Sequence, residues 1–76
     1  MIMKEQVLEI LLDVVPDVDF ENEVDLVGSK LIDSFAVVAM VNELNDELDI
    51  DIPSREILPE NFYSLGTIVK LVEKYS

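Results

Sequence analysis

The chain has 76 residues, seventeen of them acidic and five basic, for a formal net charge of −12. It has no cysteine and no histidine, which excludes thiol catalysis, disulfides, Cys/His zinc sites and histidine-dependent acid–base chemistry. The scarcity of Lys and Arg disfavours nucleic acid and anionic membrane surfaces as partners and points instead to basic patches on other proteins, with an attraction that weakens as salt rises.

Residues 3 to 15 read as a helix. Met3, Val7, Ile10, Leu11 and Val14 recur at spacings of three and four, with Lys4, Glu5, Gln6, Glu9 and Asp13 between them, and Leu8, Leu12 and Val15 widen the apolar face. Pro16 ends the element, because the residue before a proline is pushed out of the helical region. Residues 16 to 33 form a long acidic connection containing Gly28 and Ser29, of a length that is often functional. Its apolar residues Val18, Phe20, Val24, Leu26, Val27, Leu31 and Ile32 are expected to fasten it to the core.

Residues 34 to 48 read as a second helix with Asp33-Ser34 as its capping signal. Phe35, Val38, Val41, Leu44 and Leu48 are expected to form its apolar stripe, with Asn42, Glu43, Asn45, Asp46 and Glu47 on the polar side. A turn around Pro53 follows, with Ile50 and Ile52 pointing inward. A short helical turn opens on Pro59, where a missing N–H costs nothing. The last helix starts after Ser64 and runs to about Tyr75, with Leu65, Ile68, Val69 and Val72 on one face. The pattern predicts an all-α fold, a small four-helix bundle of three long helices and one short one, as a single domain over 1–76.

A domain of this size buries only about 60% of its unfolded surface, so a preorganised active site would compete with the core for the same side chains. Length therefore favours a binding or carrier module over a self-sufficient enzyme. No apolar run approaches the roughly 20 residues of a membrane span. The start, Met1-Ile2-Met3-Lys4-Glu5, lacks the apolar segment of a signal peptide. The expectation is a cytoplasmic protein, monomeric because of its like charge.

The segment Leu31-Ile32-Asp33-Ser34-Phe35 carries the functional argument. Its serine opens a helix at the end of a long loop, with an acid before it and a bulky apolar residue after it. Downstream comes Leu48-Asp49-Ile50-Asp51-Ile52-Pro53. This arrangement resembles the acyl carrier and peptidyl carrier proteins, whose mark is Asp-Ser and an apolar residue at the start of the second helix, then an acidic–apolar alternation closing on Ile-Pro. Pro59-Glu60-Asn61-Phe62 with Ser64-Leu65 is similar to the third-helix segment of stand-alone carriers such as D-alanyl carrier proteins. The resemblance covers essentially the whole chain. It departs at Val37, Val38 and Ala39, where fatty-acid carriers often have glutamate.

The resemblance implies a 4'-phosphopantetheine arm, donated by coenzyme A, on Ser34. It gives Asp33 the role of helping a phosphopantetheinyl transferase and its metal engage the serine. It makes the second helix a docking surface for acyl- or aminoacyl-loading and acyl-processing enzymes, with Glu43, Asp46 and Glu47 for charge steering and Phe35, Val37 and Met40 as candidates for apolar contact. With no histidine to deprotonate it, Ser34 reads as the substrate of another enzyme and not as a catalytic nucleophile. Two other readings stand beside this one. Asp17 to Gly28 and Asp49 to Glu60 have the length of calcium loops, but the first lacks Gly at position six and Glu at position twelve, and the second has Pro53 and Ser54 at positions five and six. Alternatively, the chain is an acidic helical adaptor without a prosthetic group, in which Ser34 is only a cap.

Overall fold

The computed structural model describes residues 4–76. Three α-helices, α1 (Lys4–Val14), α2 (Ser34–Leu48) and α3 (Leu65–Tyr75), are joined by a long loop and by two 3-10 turns, Ser54–Glu56 and Pro59–Phe62. No strand occurs among the described residues. The Met3 end expected for the first helix lies outside them.

The short helix expected to open on Pro59 is a four-residue 3-10 turn, and a further 3-10 turn of three residues, Ser54–Glu56, precedes it. Proline is the reason. Pro59 forces Leu58 into an extended conformation, φ −123° and ψ 144°, so the turn begun at Pro53 stops after Glu56. The next turn starts on Pro59 and must finish before Ser64, which is extended as the cap of α3. Neither interval has room for an i→i+4 ladder.

α1 packs against both α2 and α3, and α3 also packs on the second 3-10 turn. The centre is filled by Val7 and Leu11 of α1, Met40 and Leu44 of α2, Ile68 and Val72 of α3, and Phe20, Leu26 and Phe62 from the connections. α1 follows its sequence pattern, with Val7, Ile10 and Leu11 buried. In α3 the buried set is Leu65, Ile68, Leu71 and Val72, with Val69 only half-buried. Its start is a reciprocal cap: Ser64 N donates to Thr67 Oγ1 at 3.0 Å, and Thr67 N donates to Ser64 Oγ at 3.4 Å.

The expected stripe on α2 is out of phase at its N-terminal end. Val37, Met40, Val41 and Leu44 are buried, whereas Phe35 is 82% and Val38 45% exposed. Phe35 and Leu44 are nine residues apart, about two and a half turns at 3.6 residues per turn, so they point in opposite directions. An uninterrupted spacing of three drifts around the helix, and only the alternation of three and four from Val37 onward stays on one face. Val37 and Met40, expected at a contact surface, are therefore core residues.

In the long loop Val18, Phe20, Leu26 and Ile32 enter the core, but Val24 and Leu31 are exposed and Val27 is half-buried. Leu26 organises the segment. Its N–H donates to Tyr63 O at 3.1 Å, and its carbonyl accepts from Leu31 N at 3.0 Å and Ile32 N at 3.2 Å. Ile32 takes the inward position, which leaves its neighbour Leu31 facing out. The loop thus closes into a bracket that delivers the chain to the head of α2. Asp25, with φ 53°, begins this bracket in the left-handed region, and a Cβ on Gly28 would collide with the Asp25 carboxylate. Glycine is required there unless Asp25 swings away.

Candidate functional site

Asp33, extended at φ −110° and ψ 178°, is the N-cap of α2. Its Oδ1 accepts from Ala36 N at 2.8 Å and its carbonyl from Val37 N at 3.0 Å. Ser34 is therefore the first helical residue and not the cap. Its side chain is exposed, and its hydroxyl makes no hydrogen bond among the described residues. The N–H groups of Ser34 and Phe35 find no acceptor among the described residues either, as expected of the first turn of a helix.

Beside Ser34 lies a shallow cavity of about 70 Å³, lined by Val27, Ser34, Val37, Ile57, Leu58 and Pro59. One wall comes from the long loop and α2. The other comes from the segment between the two 3-10 turns. Phe35 stands on the outer side of the serine with Val38 one turn further on. Beyond them Glu43, Asp46 and Glu47 are exposed along the same helix, so α2 offers an apolar head and an acidic tail. No acid lies in its first turn and no base in its last. The acidic tail opposes the helix dipole, whereas the Asp33 carboxylate at the N-cap agrees with it.

The cavity wall is anchored from behind. Glu56 Oε2 accepts from Lys74 Nζ at 2.7 Å and from Tyr75 Oη at 2.5 Å. Asn61 Nδ2 donates to the Glu56 carbonyl at 2.8 Å and to Oε1 at 3.3 Å. The bonds from Lys74 and Tyr75 hold the Glu56 carboxyl below its ordinary range. The same contacts raise Lys74 and Tyr75 above theirs, the hydrogen bond to Glu56 being the main cause in each.

The structure brings Asp33, Ser34 and Phe35 together at one exposed tip, with Glu43, Asp46 and Glu47 further along the same helix, and sends Val37 and Met40 inward. Three features differ from or add to what the sequence suggests. Val38 is exposed, and the phase of the helix could have shown this. The wall Ile57-Leu58-Pro59 and the anchor Glu56 are brought in by tertiary packing and leave no local signal. Among the described residues no three acidic, His or Cys side chains are grouped to hold a metal ion, and no helix is long and apolar enough to cross a membrane.

An exposed hydroxyl on the first residue of a helix, flanked by two unpaired N–H groups and an apolar groove, suits a phosphodiester-linked chain. A phosphate there gains about 0.3–1 kcal/mol from the helix terminus, and the groove can receive the first atoms of an arm. Asp33 opposes this by charge, although its Oδ1 is already engaged in the cap. The family model for the phosphopantetheine attachment site matches residues 5–74. The chain belongs to this phosphopantetheine attachment family and is a carrier protein whose prosthetic group, 4'-phosphopantetheine, is covalently bound. Membership implies a phosphopantetheinyl transferase and biosynthetic enzymes as partners. No curated protein matches the chain significantly.

Proposed function

We propose that Ser34 is the attachment point, and that the chain carries acyl or aminoacyl groups as thioesters between partner enzymes, serving as their substrate and not as an enzyme itself. The observation that carries this reading is the division of labour at the head of α2. Asp33 holds the helix start, so the Ser34 hydroxyl has no structural duty and stands in solvent. The adaptor reading gave Ser34 the role of cap, and Asp33 as the cap supports the carrier reading over it.

The arm supplies the thiol that this cysteine-free chain lacks. The chain's own residues supply the rest. Ser34 Oγ takes the phosphopantetheinyl group of coenzyme A, losing its proton and displacing adenosine 3',5'-bisphosphate, and so becomes one ester oxygen of the phosphodiester. Asp33 has Oδ2 left for a metal ion or a lysine of the transferase. Phe35, together with Val38, gives an incoming enzyme an apolar footing within a turn of the serine, and Glu43, Asp46 and Glu47 orient it by charge. The apolar residues at the head of α2 favour a dedicated set of loading enzymes over those of bulk fatty-acid synthesis.

Intact mass tests the assignment. With coenzyme A, magnesium and a broad-specificity phosphopantetheinyl transferase, wild type gains one phosphopantetheine and Ser34→Ala gains none. An unchanged wild-type mass across several such transferases, or an arm on Ser34→Ala, overturns the assignment.

A further inference from the structure

All seventeen acids lie within the described residues, and Glu56 alone among them is not exposed. Its side chain is 14% exposed, and it forms the only salt bridge among those residues, to Lys74. A chain with seventeen acids and five bases commits one of its few cations to this carboxylate. Surface pairs of this kind contribute little on their own. Here the carboxylate also takes Tyr75 Oη and Asn61 Nδ2, and such a network fixes geometry more firmly than an isolated pair.

What the network fixes is the segment that follows. The Glu56 carbonyl accepts from Leu58 N at 2.9 Å and from Asn61 Nδ2 at 2.8 Å, and Asn61 N in turn donates to Leu58 O at 2.9 Å. Ile57, Leu58 and Pro59 are thereby suspended between Glu56 and Asn61, and they form the wall of the cavity facing Ser34 and Val37. Ile57 is half-buried against the core and its N–H donates to Ser54 O at 3.0 Å, whereas Leu58 and Pro59 are exposed, so the outer part of the wall depends on its ends.

We propose that Glu56 is a positioning residue for the arm. By tying the Ile57–Pro59 wall to the end of α3, it keeps the groove beside Ser34 at a fixed width and sets how far the arm lies against the protein. This inference rests on Ser34 being the attachment point. Loss of the carboxylate frees the wall, and the arm spends more time in solvent. The role concerns the loaded protein and makes no demand on the attachment step.

The test uses full-length chain loaded with the arm, its thiol labelled with an environment-sensitive fluorophore and quenched by neutral acrylamide. Glu56→Gln, Glu56→Ala and Tyr75→Phe are compared with wild type and with Val7→Ala, a core truncation in α1 away from the groove. All are measured well below their melting temperatures. The quenching constant is expected to rise about two-fold in the Glu56 variants and less in Tyr75→Phe, through local opening of the wall, while Val7→Ala stays at the wild-type value despite its lower stability. Loaded Glu56→Gln with wild-type quenching overturns the role of Glu56 and leaves Ser34 untouched. So does an equal rise in Val7→Ala, since loss of stability alone would then explain it. A wild-type chain that takes no arm overturns the Ser34 assignment and the Glu56 role together.

Discussion

The side chain of Asn45 accepts a hydrogen bond from the backbone N–H of Ile52 at 2.9 Å. The same residue's carbonyl accepts from Asp49 N, and from Ile50 N at 3.1 Å, so one asparagine closes α2 and holds the Asp49–Pro53 exit against it. Ile52 is 3% exposed, which makes its N–H costly to leave unpaired. Asn45→Ala is expected to lower stability by about 1–3 kcal/mol, read as a fall in urea midpoint at constant m-value. A midpoint equal to wild type would mean that water replaces the amide without cost.

Asp49 ends α2 with φ 54°, a left-handed conformation that glycine adopts freely and most other residues do not. Its negative charge also sits at the negative end of the helix dipole. Asp49→Gly is expected to raise stability by about 0.5–1 kcal/mol, with Asp49→Asn giving part of the gain by removing the charge alone. Thermal unfolding of the three proteins orders them.

Phe35 and Met40 exchange the roles that their spacing in the sequence suggests. Phe35→Ala should leave stability within about 0.5 kcal/mol of wild type, as an exposed substitution does. Met40→Ala should cost about 2–5 kcal/mol by opening the core. If Phe35 is part of the docking surface, its removal lowers kcat/KM with a loading enzyme by about ten-fold, the effect of an anchoring aromatic. Equal stability losses for the two variants would contradict the observed phase of α2.

The Glu56 network gives a pH signature. The carboxyl of Glu56 is depressed in the folded chain, so its contribution is present above the ordinary carboxylate range and is lost as pH falls through the lowered value. Lys74 and Tyr75 are raised, so their contribution is present below their ordinary values of 10.5 and 10.0 and is lost as pH rises through the raised ones. The stability difference between wild type and Glu56→Gln should therefore be largest near neutrality and shrink at both extremes. Using the difference removes the general relief of repulsion that acid brings to the other carboxylates.

Those other carboxylates repel one another, since all sixteen are exposed and the described residues hold one salt bridge. Moderate salt or millimolar magnesium is expected to raise the melting temperature by several degrees, as about 1 kcal/mol does for a domain of this size. A melting curve insensitive to both would show that the repulsion is negligible.

The helices and their ends were largely legible because short-range chemistry sets them. Asp33 before Ser34, Pro59 at the start of its turn and Ser64 before Leu65 act on neighbours within four residues. The inward faces of α1 and α3 were likewise readable from alternating spacings. The head of α2 was not, because Phe35, Val38, Val41 and Leu44 keep a constant spacing of three that mimics a face while rotating off it. The groove beside Ser34 was hidden for another reason. Its far wall lies more than twenty residues from the serine, and Glu56 is one acid among seventeen until α3 folds back to bring Lys74 and Tyr75 to it.

Because Asp33 and not Ser34 holds the first turn of α2, a chain with alanine at position 34 should keep its shape, its acidic flank and its exposed phenyl ring. If Ser34 is the attachment point, such a chain keeps the proposed docking surface while offering the transferase no hydroxyl. On that reading it is a decoy, expected to occupy the transferase in a mixture and to slow loading of the wild-type chain.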